Sequence, residues 1–333
     1  MIDQGLVRVY ACGGAGINIA SLLEKHRNND DVGAAKLHIT YIDTSKSNLA
    51  RNRHSIADEH IYVIDGLDGS GKIRAENYEA ITSHAKDVLQ AHKPMDLNIV
   101  ISSAAGGSGS VIAPTIVGEL LDRKVPTIVL MVGSTATRLD AENTLKTIKS
   151  YESIAQRKKA PVVAIYAENS ANVTRGDVDE SLKYAVLTLA ILYSRQNHEL
   201  DSQDLFNWLR YDRVTSFDPQ LAALTIRDGR DLNASLSDLG HVISVATLGS
   251  SPDQVYFPTT PDYQCAGFLP ESSSDRFKER CPFNYIVSDG IFPDIHARLN
   301  SFLKDLSEGT AARIVKRNIV SRDDDATETG LIL

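Results

Sequence analysis

The 333-residue chain carries 35 Lys and Arg against 43 Asp and Glu, a formal net charge of -8 that speaks against nucleic-acid binding through a general basic surface. With 42% hydrophobic and 23% charged residues it has the make-up of a soluble globular protein, and its length predicts two domains on one scaffold. Cys12, Cys265 and Cys281 are too scattered for a disulfide framework or a zinc site; without a secretory leader or an apolar run of about 18 residues, the expected setting is a reducing cytoplasm, with no membrane contact.

In chain order, short β-branched runs alternate with helical patterns over the first 170 residues, the signature of a parallel α/β sheet covered on both faces. The expected strands are Leu6 to Ala11, Leu37 to Ile42, Ile61 to Ile64, Leu97 to Ser103, Pro126 to Val132 and Pro161 to Ala167. Nearly every strand is followed by Gly, Ser, Asp, Thr or Asn, so the loops gather at the carboxyl edge, where such sheets bind ligands. Asp177 to Gln196 reads as a helix whose second half is apolar on nearly every face, hence a buried spine. The helix pattern DLFNWLRY and an irregular region follow. Then come a strand at His241 to Gly249, a Pro- and Ser-rich stretch from Ser250 to Ser274, the strand NYIVS and the helix pattern IHARLNSFLKDL, making a smaller α+β domain. The end of the chain turns from basic (Arg313, Lys316, Arg317) to acidic (Asp323, Asp324, Asp325, Glu328) and closes with GLIL.

Four loops at strand ends carry the chemistry. Gly13, Gly14 and Gly16 with Asn18 open a helix, so backbone N–H groups and the helix terminus can receive phosphate oxygens. As a dinucleotide fingerprint this loop fails, because Ile19 stands at the third glycine. Asp43 and Thr44 offer a carboxylate and a hydroxyl at the end of the next strand, or simply a helix cap. Gly66 to Lys72 has P-loop spacing, yet Ile73 stands where the magnesium-binding hydroxyl belongs and two strands precede it. The fourth loop, Ala105, Gly106, Gly107, Ser108, Gly109 and Ser110, again opens a helix.

This fourth loop resembles the signature loop of the tubulin/FtsZ superfamily, G-G-G-T-G-S-G, with Ala105 at the first small position, Ser108 for Thr and Val111 for the last glycine. The resemblance implies a Rossmann-like parallel-sheet GTPase domain joined by a long central helix to a smaller α+β domain. It divides the chain into a GTP-binding domain (1–176), the central helix (177–198), a catalytic loop with an activation domain (199–310) and a C-terminal helix with an acidic tail (311–333). Gly13, Gly14, Gly16 and Asn18 then resemble the first phosphate loop, Asp43 and Thr44 the second, and Gly69, Ser70, Gly71 and Lys72 the loop that senses the γ-phosphate. Glu142 resembles the ribose-binding acid, and Asn169 and Asp179 the residues that read guanine. Glu199 to Asp204 resembles the N-x-D-x-x-D loop that enters the next subunit's nucleotide site, with Glu199 replacing Asn; on their own, Asp201 and Asp204 read as caps of the following helix.

By the same resemblance the chain is expected to be a GTP/GDP-binding, magnesium-assisted GTPase whose catalytic pair, Asp201 and Asp204, sits about 30 Å from its own phosphate loops along the spine helix. Hydrolysis then needs head-to-tail contact with a second copy, which propagates as a filament. The short tail and Ser-containing signature loop are similar to those of the bacteriophage tubulins (PhuZ type). That implies filaments in a bacterial host cytoplasm, positioning phage DNA or the replication compartment, with the tail on a neighbouring subunit and no direct nucleic-acid contact. Two other readings remain open on the sequence: an NAD(P)-dependent oxidoreductase, suggested by Gly14, Gly16 and Asp43, and a nucleotide-binding scaffold that does not hydrolyse, suggested by Glu199 and Val111.

Overall fold

The apolar runs of the first half form strands that alternate with helices, as their spacing predicts. The computed structural model describes residues 4–27, 33–50, 56–75, 77–170, 172–231 and 235–323, so most of the acidic tail, residues 324–333, lies outside the described residues. The first half runs β1 (Leu6–Cys12), α1 (Gly13–Ser21), β2 (Lys36–Asp43), α2 (Ser47–Ala50), β3 (Ile61–Val63), α3 (Tyr78–Ala91), β4 (Leu97–Ser103), α4 (Gly109–Asp122), β5 (Thr127–Ser134), α5 (Arg138–Lys158), β6 (Val162–Asn169) and α6 (Arg175–Leu192). The second half runs α7 (Ser202–Leu209), β7 (Leu221–Arg227), β8 (Val242–Gly249), β9 (Tyr263–Phe268), α8 (Asp275–Lys278), β10 (Phe283–Ser288) and α9 (Ile291–Asp323).

Ten strands form one sheet in the order β3-β2-β1-β4-β5-β6-β7-β10-β8-β9. From β3 to β7 every pairing is parallel; β10 is antiparallel to both its neighbours, and β8 is parallel to β9. Six of the seven residues of β4 are buried, the mark of a parallel strand covered on both faces. On one face lie α1, α6 and α7, around Ile17, Ile19, Leu189 and Trp208. The other is covered by α3, α4, α5 and α9, around Val88, Ile116, Ile148 and Leu299. Two strands occupy stretches where none was expected: β7 lies in the irregular region, and β9 in the Pro- and Ser-rich stretch.

The spine helix α6 starts two residues before the expected position, because Thr174 and Asp177 form a reciprocal capping box there. It ends at Leu192 rather than Gln196, and the chain soon turns through Arg195 at φ +60°. Its apolar second half is buried as expected: Val186, Thr188, Leu189, Ala190, Ile191 and Leu192 are almost inaccessible. Tyr285 of β10 donates to the Thr188 carbonyl at 2.7 Å, and Trp208 of α7 donates to the Tyr285 carbonyl at 3.1 Å, tying the spine to the second half. A second tie is ionic. Asp228, just past β7 and 2% exposed, accepts from Tyr184 of α6 at 2.7 Å and from Arg230 at 2.7 Å, and pairs with Arg280 at 3.2 Å.

Candidate nucleotide site and acid pair

Because β1, β2, β3 and β4 are parallel neighbours, the loops that leave their carboxyl ends converge. They form a cleft of about 210 Å³ lined by Gly13, Gly14, Asp43, Gly69, Ser70, Gly106, Gly107, Ser108 and Gly109, together with Cys12, Ala15, Asn48 and Ser103. Its floor is backbone and hydroxyl, as a phosphate cradle requires. Gly13 adopts φ +70°, and a Cβ there would come within 2.9 Å of Gly109 Cα. At Gly107 a Cβ would stand 1.8 Å from Ser70 Oγ and 2.9 Å from Lys72 Cα, so the loop after β3 lies directly on the signature loop. Three hydroxyls link the loops, with Thr44 Oγ1 and Ser108 Oγ 2.7 Å apart and Ser108 donating to Ser70 at 3.2 Å.

Other contacts of the expected residues hold this cradle in shape. Asp43 is buried, which pushes its pKa up, while donors from Asn48 (2.7 Å) and the Thr44 amide (2.7 Å) work in the opposite direction. Ser110 donates to the carbonyls of Gly106 (2.6 Å) and Gly107 (2.8 Å), fixing the turn into α4. Gly16 packs on the Ile101 carbonyl, where a Cβ would approach to 2.3 Å. Asn18, Thr44, Gly71, Lys72, Ala105 and Ser110 are not among the lining residues.

Glu142, Asn169 and Asp179 stand on the same carboxyl edge, outside the cleft. Glu142 accepts from Arg138 at 2.8 Å on the first turns of α5. Asn169 ends β6, and its buried Oδ1 has no hydrogen-bond partner among the described residues. Asp179, on the second turn of α6, is raised in pKa by burial, with Arg175 at 3.8 Å opposing. Next to Asn169, Glu168 accepts two hydrogen bonds from Arg298 of α9 (2.8 and 2.6 Å) and one from Tyr166 (2.6 Å).

The acid pair lies at the other end. Asp201 caps α7, accepting from the amides of Gln203 (2.8 Å) and Asp204 (2.9 Å), while Asp204 accepts from the Asp201 amide at 3.2 Å. The cap read from the sequence is therefore present. Asp201 and Ser202 border a cleft of about 370 Å³ shared with Met95 and Asp96, just before β4, and Pro126, just before β5. That is the amino edge of the sheet. Seven residues of β4, at about 3.3 Å each, put on the order of 20 Å between this edge and the signature loop. Glu199, on the same connection, adopts φ +58°.

Sequence reasoning did not find Asn48 or Ser103. Asn48 follows Asp43 by five residues, and no motif in the sequence marks it; Ser103 was read only as the end of a strand.

The family model for the C-terminal domain of phage tubulin-like proteins matches residues 200–284. Along its length the chain is similar to a phage tubulin-like protein of Pseudomonas phage PhiPA3, with 29% identity over 329 residues, covering 98% of each. Of the solved structures, a protofilament of TubZ from bacteriophage PhiKZ superposes with a TM-score of 0.80 at 24% identity, covering 98% of this chain and 95% of that one. The phage tubulin PhuZ with GDP gives a TM-score of 0.81 at 22% identity over the same shares.

Proposed function

We propose that the chain, which has the tubulin/FtsZ fold, is of the phage tubulin-like kind, binds GTP, hydrolyses it and assembles head to tail into filaments. One observation carries this reading: the glycine-lined cradle and the acid pair stand at opposite edges of one strand, so a second copy is needed to bring them together. Relatives named for a protofilament and for bound GDP support it.

In this reading the loops after β1, β2 and β4 hold the α and β phosphates through backbone N–H groups and the Ser108 hydroxyl, and the loop after β3 meets the terminal phosphate. The cleft is smaller than the several hundred Å³ of a typical ligand pocket, so the base extends beyond it toward Asn169 and Asp179. The unpaired Asn169 Oδ1 is an acceptor suited to a guanine N–H. Glu142 takes the ribose. From the neighbouring copy, Asp201 and Asp204 orient and deprotonate the attacking water. Among the described residues no three His, Cys, Asp or Glu side chains form a metal cluster. Magnesium, held mainly by phosphate oxygens and water, would offset charge on the terminal phosphate.

The division at 1–176, 177–198, 199–310 and 311–333 belongs to the same proposal. So does a role for the acidic tail on a neighbouring subunit. A groove between α3, α4 and α5 lined by Arg74, Lys146, Lys149 and Arg157 provides a basic counterpart on a chain of net charge -8. The filaments would act in the host cytoplasm, positioning phage DNA or the replication compartment. A non-hydrolysing scaffold is the second reading, favoured by the capping hydrogen bonds that Asp201 and Asp204 already make. Phosphate release measured across a range of protein concentrations decides between them. Turnover that rises with assembly, and Asp204→Ala filaments that persist, support hydrolysis at the interface; equal turnover from dilute subunits refutes it.

A further inference from the structure

One face of α5 grips both loops that meet over the cleft. Asp140, Asn143 and Thr147 recur at helical spacing and are 5%, 2% and 0% exposed. Asp140 Oδ1 accepts from Lys72 Nζ at 2.6 Å. Asn143 Nδ2 donates to the Lys72 carbonyl at 3.0 Å and to the Ala105 carbonyl at 3.2 Å, bridging the loop after β3 and the signature loop. Thr147 donates to the Ala104 carbonyl at 2.8 Å and accepts from Arg74, so residues 72 to 74 lie along the helix.

Lys72 is the pivot of this arrangement. Its Cα sits 2.9 Å from where a Gly107 Cβ would be, against the wall of the cleft, yet its side chain does not line the cleft. The ammonium is drawn aside onto Asp140, while the side chain, a flexible four-carbon stem, is about half exposed. We propose that Asp140 is a positioning residue that sets the preference for nucleoside triphosphate over diphosphate: it holds the Lys72 ammonium off the phosphate cleft, and a terminal phosphate must compete for it. This rests on the guanine-nucleotide reading above. When Lys72 turns to the phosphate, Asp140 is left buried with an unpaired charge, which subtracts from the gain at the phosphate. A diphosphate reaches less far and leaves the pair intact.

The test is the ratio of GTP to GDP affinity, measured by calorimetry on single preparations of the full chain. Asp140→Asn releases Lys72 without burying a charge and raises that ratio by about tenfold, the scale of one charge-assisted hydrogen bond. Asp140→Glu keeps the parental ratio. Lys72→Gln weakens GTP, spares GDP, and makes Asp140→Asn silent in the double variant. GDP serves as the internal standard, so a partly folded variant still yields a valid ratio. A ratio that is unchanged or lowered by Asp140→Asn overturns the proposal, as does a rise that persists without Lys72. If the parent binds neither nucleotide, the guanine-nucleotide reading itself fails, and this inference with it.

Discussion

Substituting Gly107 by alanine tests the cradle directly. The new Cβ would stand 1.8 Å from Ser70 Oγ, 2.9 Å from Ser70 Cβ and 2.9 Å from Lys72 Cα. Carbon atoms are at ease at about 3.5 to 4.0 Å, so a side-chain rotation cannot clear the backbone contact and the loop after β3 must retreat by roughly 0.5 to 1 Å. The space around Gly69 and Gly71 is open, with nothing within 4 Å of a Cβ at either position. Overpacking costs about 1 to 3 kcal/mol, and a loop free to yield keeps the stability cost at the low end of that range. The displaced loop no longer meets the terminal phosphate. At about 1.4 kcal/mol per factor of ten, GTP binding should weaken roughly ten- to hundredfold, and GDP binding less. Calorimetric titration with both nucleotides, beside a thermal melt, reads the two effects separately. A folded Gly107→Ala protein that binds GTP within about twofold of the parent would refute the claim that this loop closes on the phosphate.

Asp201→Asn keeps an oxygen to cap α7 but removes the charge, whereas Asp201→Ala also loses the cap, at about 1 kcal/mol. Both should abolish assembly-dependent phosphate release, and only the alanine variant should melt earlier; release retained by Asp201→Asn would show that the charge is not needed. Burial opposes the charge on Asp228, but hydrogen bonds from Arg230 and Tyr184 bring its pKa down to about 2. Its contribution is therefore present above the unfolded pKa near 4 and lost as pH falls through about 2. Asp228→Asn should cost about 2 kcal/mol at neutral pH, with the gap to the parent closing between about pH 4 and 2 in urea titrations; parallel profiles would refute the assignment. Glu199→Asn, better suited to φ +58°, should raise stability by up to about 1 kcal/mol in chemical denaturation.

Six strands of the first half were legible because a parallel strand buried on both faces needs a continuous apolar run, and Leu97 to Ser103 is one. The strand β7 was not, since its run of Leu221, Ala222, Ala223 and Leu224 has too little β-branched character to stand out; its pairing with β6 and β10 supplies the missing preference. The edge strand β9 shows only Cys265 and Gly267 buried, and its surroundings are rich in Pro and Ser. Within the site, glycines and hydroxyls declared the loops, because few other residues tolerate such close backbone approach. Asp140 and Asn143 gave no such signal. Their partners lie 68 and 71 positions away, and only the folded chain brings them together.

The three native thiols are all buried, Cys12 in the cleft wall, Cys265 on β9 and Cys281 before β10. Burial pushes Cys265 and Cys281 up to about 12, and Cys12 higher still. At neutral pH their reactive thiolate fraction is smaller by about a thousandfold or more than that of an ordinary surface cysteine with a pKa near 8.5. Tyr256 is 79% exposed. A cysteine placed there would be the one site a maleimide dye reaches quickly, so subunits could be tagged for single-filament fluorescence without first stripping the protein of its own sulfur.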